Sequence, residues 1–110
     1  MGVRRETIRR TVEVLFTDGC AHMALAIERV RAAIRGRETD VEIRLVRVET
    51  FPDALGRRFL GSPSVRVDGR DVEEGITSER YGLHGRGYFI EGAVDRAPAT
   101  AWIEQALARS

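Results

Sequence analysis

Cys20 is the only cysteine of the chain, and it lies in the stretch CAHM at residues 20–23. An apolar run precedes it and an amphipathic pattern follows, so we expect it between a strand and a helix. A thiolate at a helix N-terminus is stabilised by free backbone N–H groups and the helix dipole, and the thiolate is the nucleophilic form. We therefore predict that Cys20 is the catalytic nucleophile. The alternative is an inert buried cysteine.

His22 and Met23 follow Cys20 closely enough to take part in its chemistry. We assign His22 a supporting role, as a neutral imidazole that donates to the thiolate or to a leaving sulfur; the alternative is a solvated side chain. Cysteine and methionine together suit soft metals. However, Met23 begins an apolar stripe with Ile27 and Val30 at helical spacing, which favours core packing. We predict no metal site and no cofactor.

The composition narrows the classes of partner. A chain of 110 residues suits one domain with a modest core, and a net charge of +1 argues against a nucleic-acid partner. No apolar run approaches the roughly 18 residues of a membrane span, and the first residues lack an apolar signal core. We therefore expect a cytoplasmic protein without membrane contact. All 18 basic residues are arginine, so no lysine is present to form a Schiff base.

Periodicity and turn residues predict an alternation of strands and helices. Strands joined by a helix are parallel, and hairpin strands are antiparallel. We predict an α/β fold of order β-α-β-α-β-β-α, with a four-stranded mixed sheet and helices on both faces. The predicted elements are a buried central strand at 11–17, a helix from 23 to about 35, a strand at 41–48, a short helix at 51–60, a hairpin at 65–72 and a helix from 98; residues 1–10 form a basic lead-in to a domain at 11–110.

Two motifs carry a resemblance to a known superfamily. FTDGC at 16–20 and GSPSVRVDG at 61–69, in this order of elements, resemble the thioredoxin-like superfamily over most of residues 11–108. RFLGSPSVRVDGRDVEEG looks like the small bacterial thioredoxin-like DF-family (seleno)proteins, some of which carry alkylmercury-lyase-like names. The resemblance implies that Pro63 is cis and faces the sulfur of Cys20. It also implies that the backbone of Ser62 is free to pair with an extended substrate, so we assign Ser62 and Pro63 to substrate binding.

Residues 74–96 are rich in glycine and form a long connection without clear periodicity, apart from a short strand expected at 88–90. Loops of this length are often functional. Two interpretations stay open: a lid beside Cys20 in which an arginine holds a carboxylate or another anion, or a flexible, solvated loop. The predicted lid residues are Tyr81, His84, Arg86 and Tyr88.

These features lead to a thioredoxin-like thiol protein in which Cys20 attacks a disulfide, a peroxide or another electrophile. Because the chain has no second cysteine, an external thiol such as glutathione must complete the cycle. This would make the protein a monothiol oxidoreductase, with a small disulfide or a peptide as substrate. One alternative is a non-catalytic binding module. Another is a protein that handles mercury or another soft metal. The sequence leaves the oligomeric state open.

Overall fold

The computed structural model describes residues 9–109, so most of the predicted basic lead-in lies outside the described residues. Three helices and six strands form within this range, together with a single 3-10 turn at Glu38–Asp40. In chain order the elements are β1 (Arg10–Phe16), α1 (Met23–Ala33), β2 (Val41–Arg47), α2 (Phe51–Gly56), β3 (Ser64–Val67), β4 (Arg70–Asp71), β5 (Tyr88–Ile90), β6 (Ala93–Asp95) and α3 (Thr100–Ala108).

The main sheet has four strands in the order β2-β1-β3-β4. β1 pairs parallel to β2 and antiparallel to β3, and β3 pairs antiparallel to β4. The predicted four-stranded mixed sheet is therefore confirmed. β1 is central, as its nearly continuous apolar run indicates: Val12, Val14 and Leu15 are all buried.

Helices cover both faces of this sheet. Val12 and Val14 point to one face, where they share a core cluster with residues of α1 and α3. Leu15 points to the other face and packs with Ala54 of α2 and with Phe59. Alternate side chains of one strand thus belong to different cores, which explains why β1 needs apolar residues at successive positions. No helix within residues 9–109 is both long and apolar enough to cross a membrane.

Two hairpins use the same turn chemistry. Asp68 and Gly69 have φ of 49° and 85°, which is the pair of positive values that the predicted type I′ turn between β3 and β4 requires. Glu91 and Gly92 repeat this with φ of 49° and 82° between β5 and β6. The strand β5 is confirmed, whereas β6 was not predicted, because glutamate before glycine is a weaker turn signal than aspartate.

The prediction for residues 51–60 is wrong in its second half. α2 begins with Thr50 as its N-cap, whose hydroxyl accepts from the Asp53 N–H at 3.2 Å, and it ends at Gly56. Arg58 then adopts a φ of 53°, which turns the chain out of the helix. Phe59 is consequently buried outside the helix, and it shares no helical face with the exposed Leu55.

Candidate functional site

Cys20 lies in the loop between β1 and α1 and is half-buried. Its backbone N–H donates to the carbonyl of Thr17 at 3.2 Å. α1 begins at Met23 with His22 as its N-cap, so the cysteine precedes the cap by two residues. The helix thus begins where the sequence predicted, and a turn at residues 21–22 separates Cys20 from its first residue.

His22 lies at the start of α1, close to its predicted place. Its side chain is exposed and makes no capping hydrogen bond, while its carbonyl accepts from the Ala26 N–H at 3.2 Å. The imidazole therefore lies at the surface, at the start of α1.

Ser62 and Pro63 are buried and are joined by a cis peptide bond, as the resemblance implied. The Ser62 hydroxyl accepts a hydrogen bond from the Thr17 N–H at 3.0 Å. Thr17 also accepts the Cys20 N–H, so this one residue is hydrogen-bonded to both predicted motifs. The fold thus brings the cysteine loop and the Ser-Pro segment together although some 40 residues separate them in sequence.

The main chain of Ser62 is not free, which corrects the expectation from the resemblance. Its N–H donates to the His84 carbonyl and its own carbonyl accepts from the Arg86 N–H, each at 2.9 Å. Ser62 and Gly85 therefore form a parallel bridge. The Gly82 N–H adds a hydrogen bond to the Phe59 carbonyl at 3.0 Å. Residues 82–86, here called the strap, occupy the backbone groups that an extended substrate would need.

Gly61 allows this close approach. It has a φ of 123°, and a Cβ at this position would lie 3.0 Å from both the Cβ of Arg86 and the Cδ2 of His84. A side chain at residue 61 would therefore collide with the strap and strain its own backbone. The His84 Nε2 adds a hydrogen bond to the Leu60 carbonyl at 3.1 Å. The glycine and the strap thus fit one another.

Arg86 is buried, and both terminal nitrogens of its guanidinium are hydrogen-bonded within the chain. It donates to Asp71 at 2.6 and 3.0 Å, to Glu73 at 2.9 Å and to the Ser64 hydroxyl at 2.9 Å. Burial acts to lower the pKa of Arg86, but the hydrogen bonds and charge of Asp71 outweigh it and hold this pKa above its ordinary value. The predicted anion clamp therefore holds carboxylates of its own chain.

Tyr88 is also buried and lies beneath Pro63. Its hydroxyl donates to the Pro63 carbonyl at 2.5 Å, and the guanidinium of Arg86 lies 4.5 Å from the centre of its ring. Trp102 packs edge-on against the ring, with 6.2 Å between the centroids. Burial raises the pKa of Tyr88. Tyr88 thus supports the cis-proline segment from inside the fold.

The predicted lid divides into an inner and an outer pair. Arg86 and Tyr88 are core residues, so the prediction that they belong to a lid is wrong for this structure. Tyr81 is half-buried and His84 is exposed, and these two lie at the surface of the connection. Buried aromatic and charged side chains satisfied inside the protein have no freedom to open and close over a substrate.

Sequence reasoning missed Thr17, Asp71 and Glu73. The two acids lie within four residues of Gly69 in the Asp-Gly turn, where they look like solvated charges, and only the fold places them on Arg86. Thr17 acts through its backbone, so its side-chain type gives no signal. Within residues 9–109 no three side chains of the His, Cys, Asp and Glu types come together to hold a metal ion. Comparisons with protein-family models, with curated proteins and with solved structures each found no match.

Proposed function

We propose that the chain is a thioredoxin-like thiol protein in which Cys20 reacts with small oxidants and an external thiol restores it. The observation that carries the proposal is the bonding of Thr17 to both Cys20 and Ser62, which ties the cysteine loop to a cis-proline segment. The mixed sheet with the cysteine after its central strand adds support. Ser62, Pro63 and His22 would then line the approach to the sulfur.

The strap bears on the substrate class. Peptides that bind as an extra strand need free N–H and C=O groups on the protein. At Ser62 both groups are already bonded to the strap. We therefore propose peroxides and low-molecular-weight disulfides, glutathione disulfide among them, as substrates in preference to extended peptides.

The proposed reaction with a peroxide has balanced steps. The Cys20 thiolate attacks one peroxide oxygen, an S–O bond forms as the O–O bond breaks, and the alkoxide or hydroxide leaves and takes up a proton. A glutathione thiolate then attacks the sulfenic sulfur and displaces hydroxide, which gives a mixed disulfide. A second glutathione attacks the glutathione sulfur of this mixed disulfide, so glutathione disulfide leaves and the Cys20 thiolate returns. Two thiols are oxidised for each peroxide reduced.

The test compares Cys20→Ser with Ala21→Ser, a control that adds the same hydroxyl to the adjacent exposed position and keeps the thiol. We expect the parent chain and the control to form a glutathione adduct, seen by mass spectrometry, and to consume peroxide in the presence of glutathione. The Cys20→Ser variant should do neither. Peroxide consumption that survives Cys20→Ser would refute the proposal.

A non-catalytic domain is the second candidate function. The observation in its favour is the position of Cys20 two residues before the helix cap, where the dipole stabilises a thiolate less. The rate of alkylation by iodoacetamide as a function of pH separates the two candidates. A non-catalytic domain should react no faster than free glutathione at neutral pH, whereas the proposed thiol protein should react faster.

A further inference from the structure

The outer edge of β2 has no partner strand among residues 9–109. β2 pairs only with β1, and its seven residues keep one unbroken register from Val41 to Arg47, without a bulge or a proline. β4, at the opposite edge, has only two residues. Proteins usually blunt long, regular edges, because the unpaired N–H and C=O groups of such an edge template further pairing.

The hydrogen bonding to β1 shows which residues of β2 turn their backbone outward. The Val48 N–H donates to the Phe16 carbonyl at 2.8 Å, so Val48 faces β1. Backbone groups of successive residues in a strand point to opposite sides, so the even-numbered residues of β2 face β1. The backbone groups of Val41, Ile43 and Leu45 therefore point away from the sheet.

A second copy of the chain can pair with this edge in antiparallel fashion, with a twofold axis through one residue of β2. With the axis at Ile43, outward-facing residues oppose one another: Val41 faces the partner's Leu45, and Ile43 faces the partner's Ile43. Glu42 then lies opposite the partner's Arg44, and this contact occurs twice because of the symmetry. Opposite charges at directly paired positions stabilise antiparallel strands.

Among the seven residues of β2 itself, neighbouring registers lack this complementarity. With the axis at Glu42 two glutamates oppose each other, and with the axis at Arg44 two arginines do so; like charges at paired positions are unfavourable. With the axis at Leu45, neither charge meets an opposite charge. The order Glu-Ile-Arg at residues 42–44 thus favours one register.

The exposed side chains of β2 suit this arrangement. Leu45 is 54% exposed, although it lies on the sheet face that β1 turns toward α1 and α3. Opposite the partner's Val41 it would lose part of this contact with water. The side chains of Glu42 and Arg44 are 37% and 60% exposed and lie on the other face, so both can reach across.

We propose that the protein forms a symmetric dimer through β2, with the twofold axis at Ile43 and one continuous eight-stranded sheet. The occupant of the edge is a second copy of this chain. The main-chain hydrogen bonds supply affinity, and the two contacts between Glu42 and the partner's Arg44 select the register.

The test uses two charge reversals and their mixture, with mass measured by light scattering after size exclusion across a range of concentrations. Glu42→Arg places arginine opposite the partner's Arg44, and Arg44→Glu places glutamate opposite the partner's Glu42. Each single variant should dissociate at concentrations about tenfold or more higher than the parent chain, since attraction becomes repulsion at two symmetric positions. Glu104→Arg, an exposed charge reversal on α3, is the matched control and should dimerise like the parent chain.

An equimolar mixture of the two variants should form a heterodimer, because each new charge then meets its opposite. In the parent chain Arg44 and Glu42 also form an ion pair of 2.8 Å with each other, and both variants lose it. Mixing does not restore this ion pair, so recovery of the dimer on mixing reports contacts at the interface rather than a repaired fold. Exchange of the Ile43 and Leu45 amides in the parent chain should slow as concentration rises. A monomeric parent chain, a dimer that survives both reversals, or variants that stay monomeric when mixed would each overturn the proposal.

Discussion

Replacing Arg86 by methionine removes a buried guanidinium while keeping a long side chain over the ring of Tyr88. The change leaves Asp71 and Glu73 without the cation that now donates to both of them. It also removes the side chain that anchors residue 86, the last residue of the strap. The backbone N–H of this residue donates to the carbonyl of Ser62. We expect the variant to lose stability and to loosen the strap.

The size of the loss follows from the burial of the three side chains. Arg86 and Asp71 are 5% and 12% exposed, so Asp71 would remain largely desolvated without a partner, whereas Glu73, at 29%, can turn toward water. Removing one member of a buried ion pair costs about 3–5 kcal/mol. Because one of the two carboxylates can rehydrate, we expect about 3 kcal/mol, which for a domain of this size lowers Tm on the order of 15 °C.

The assay is urea unfolding at neutral pH, followed by the fluorescence of Trp102, with hydrogen exchange at the backbone amides of residues 62 and 86 as a second readout. Arg57→Met is the matched control, since it removes an exposed guanidinium that lies 2.8 Å from Asp53 one helical turn away. Such a pair contributes less than about 0.5 kcal/mol. If Arg86→Met lowers the free energy of unfolding no more than Arg57→Met does, then the ion pairs of Arg86 with Asp71 and Glu73 are not desolvated. If stability falls but the Ser62 amide keeps its protection, Arg86 does not anchor the strap.

Gly61→Ala should lower the free energy of unfolding by about 1–3 kcal/mol and expose the Ser62 amide to hydrogen exchange. An alanine at residue 61 would have a strained φ, and its Cβ would lie 3.0 Å from His84. Gly85→Ala, within the strap, places its Cβ in open space and should change the unfolding midpoint little. Equal effects of the two substitutions would refute the claim that the strap requires a glycine at residue 61. Acid should lower the stability of the parent chain through Asp68. The Thr11 N–H donates to this carboxylate and holds its pKa below the ordinary 3.8. Its contribution is complete above pH 3.8 and is lost as pH falls through the lowered value, so Asp68→Asn should show a shallower decline in the urea midpoint; identical slopes would contradict this.

Much of the fold could be predicted from signals that span only a few residues of the sequence. The nearly continuous apolar run of β1 predicted a strand buried on both faces, and the structure places Val14 and Leu15 in different cores. Asp68-Gly69 predicted a turn whose two positive φ values are present. These predictions succeed because the deciding physics, side-chain alternation and residue-specific backbone freedom, acts within a few residues.

The candidate site was less predictable, because its main contacts join distant residues. Arg86 meets Asp71 across 15 positions, and Ser62 meets Gly85 across 23 positions of a glycine-rich stretch. Neither contact leaves a periodic pattern in the sequence. The expectation that Arg86 belongs to a lid failed for the same reason: a charged residue in an irregular segment looks solvated until its buried partners are known.

The buried cluster and the strap have a joint consequence for the proposed chemistry. In the free protein, a groove that bound extended peptides would have its backbone groups hydrogen-bonded to water. Here the Ser62 N–H and C=O are bonded to the strap, which the buried guanidinium of Arg86 holds in place. Opening it for a peptide would break two main-chain hydrogen bonds and disturb the charges around Arg86. A small disulfide or peroxide needs none of these groups and has only to reach the sulfur of Cys20, which is a half-buried residue. In the proposed function the strap would select substrates by size, and Gly61→Ala, which weakens the strap, should raise reactivity toward peptide disulfides more than toward glutathione disulfide.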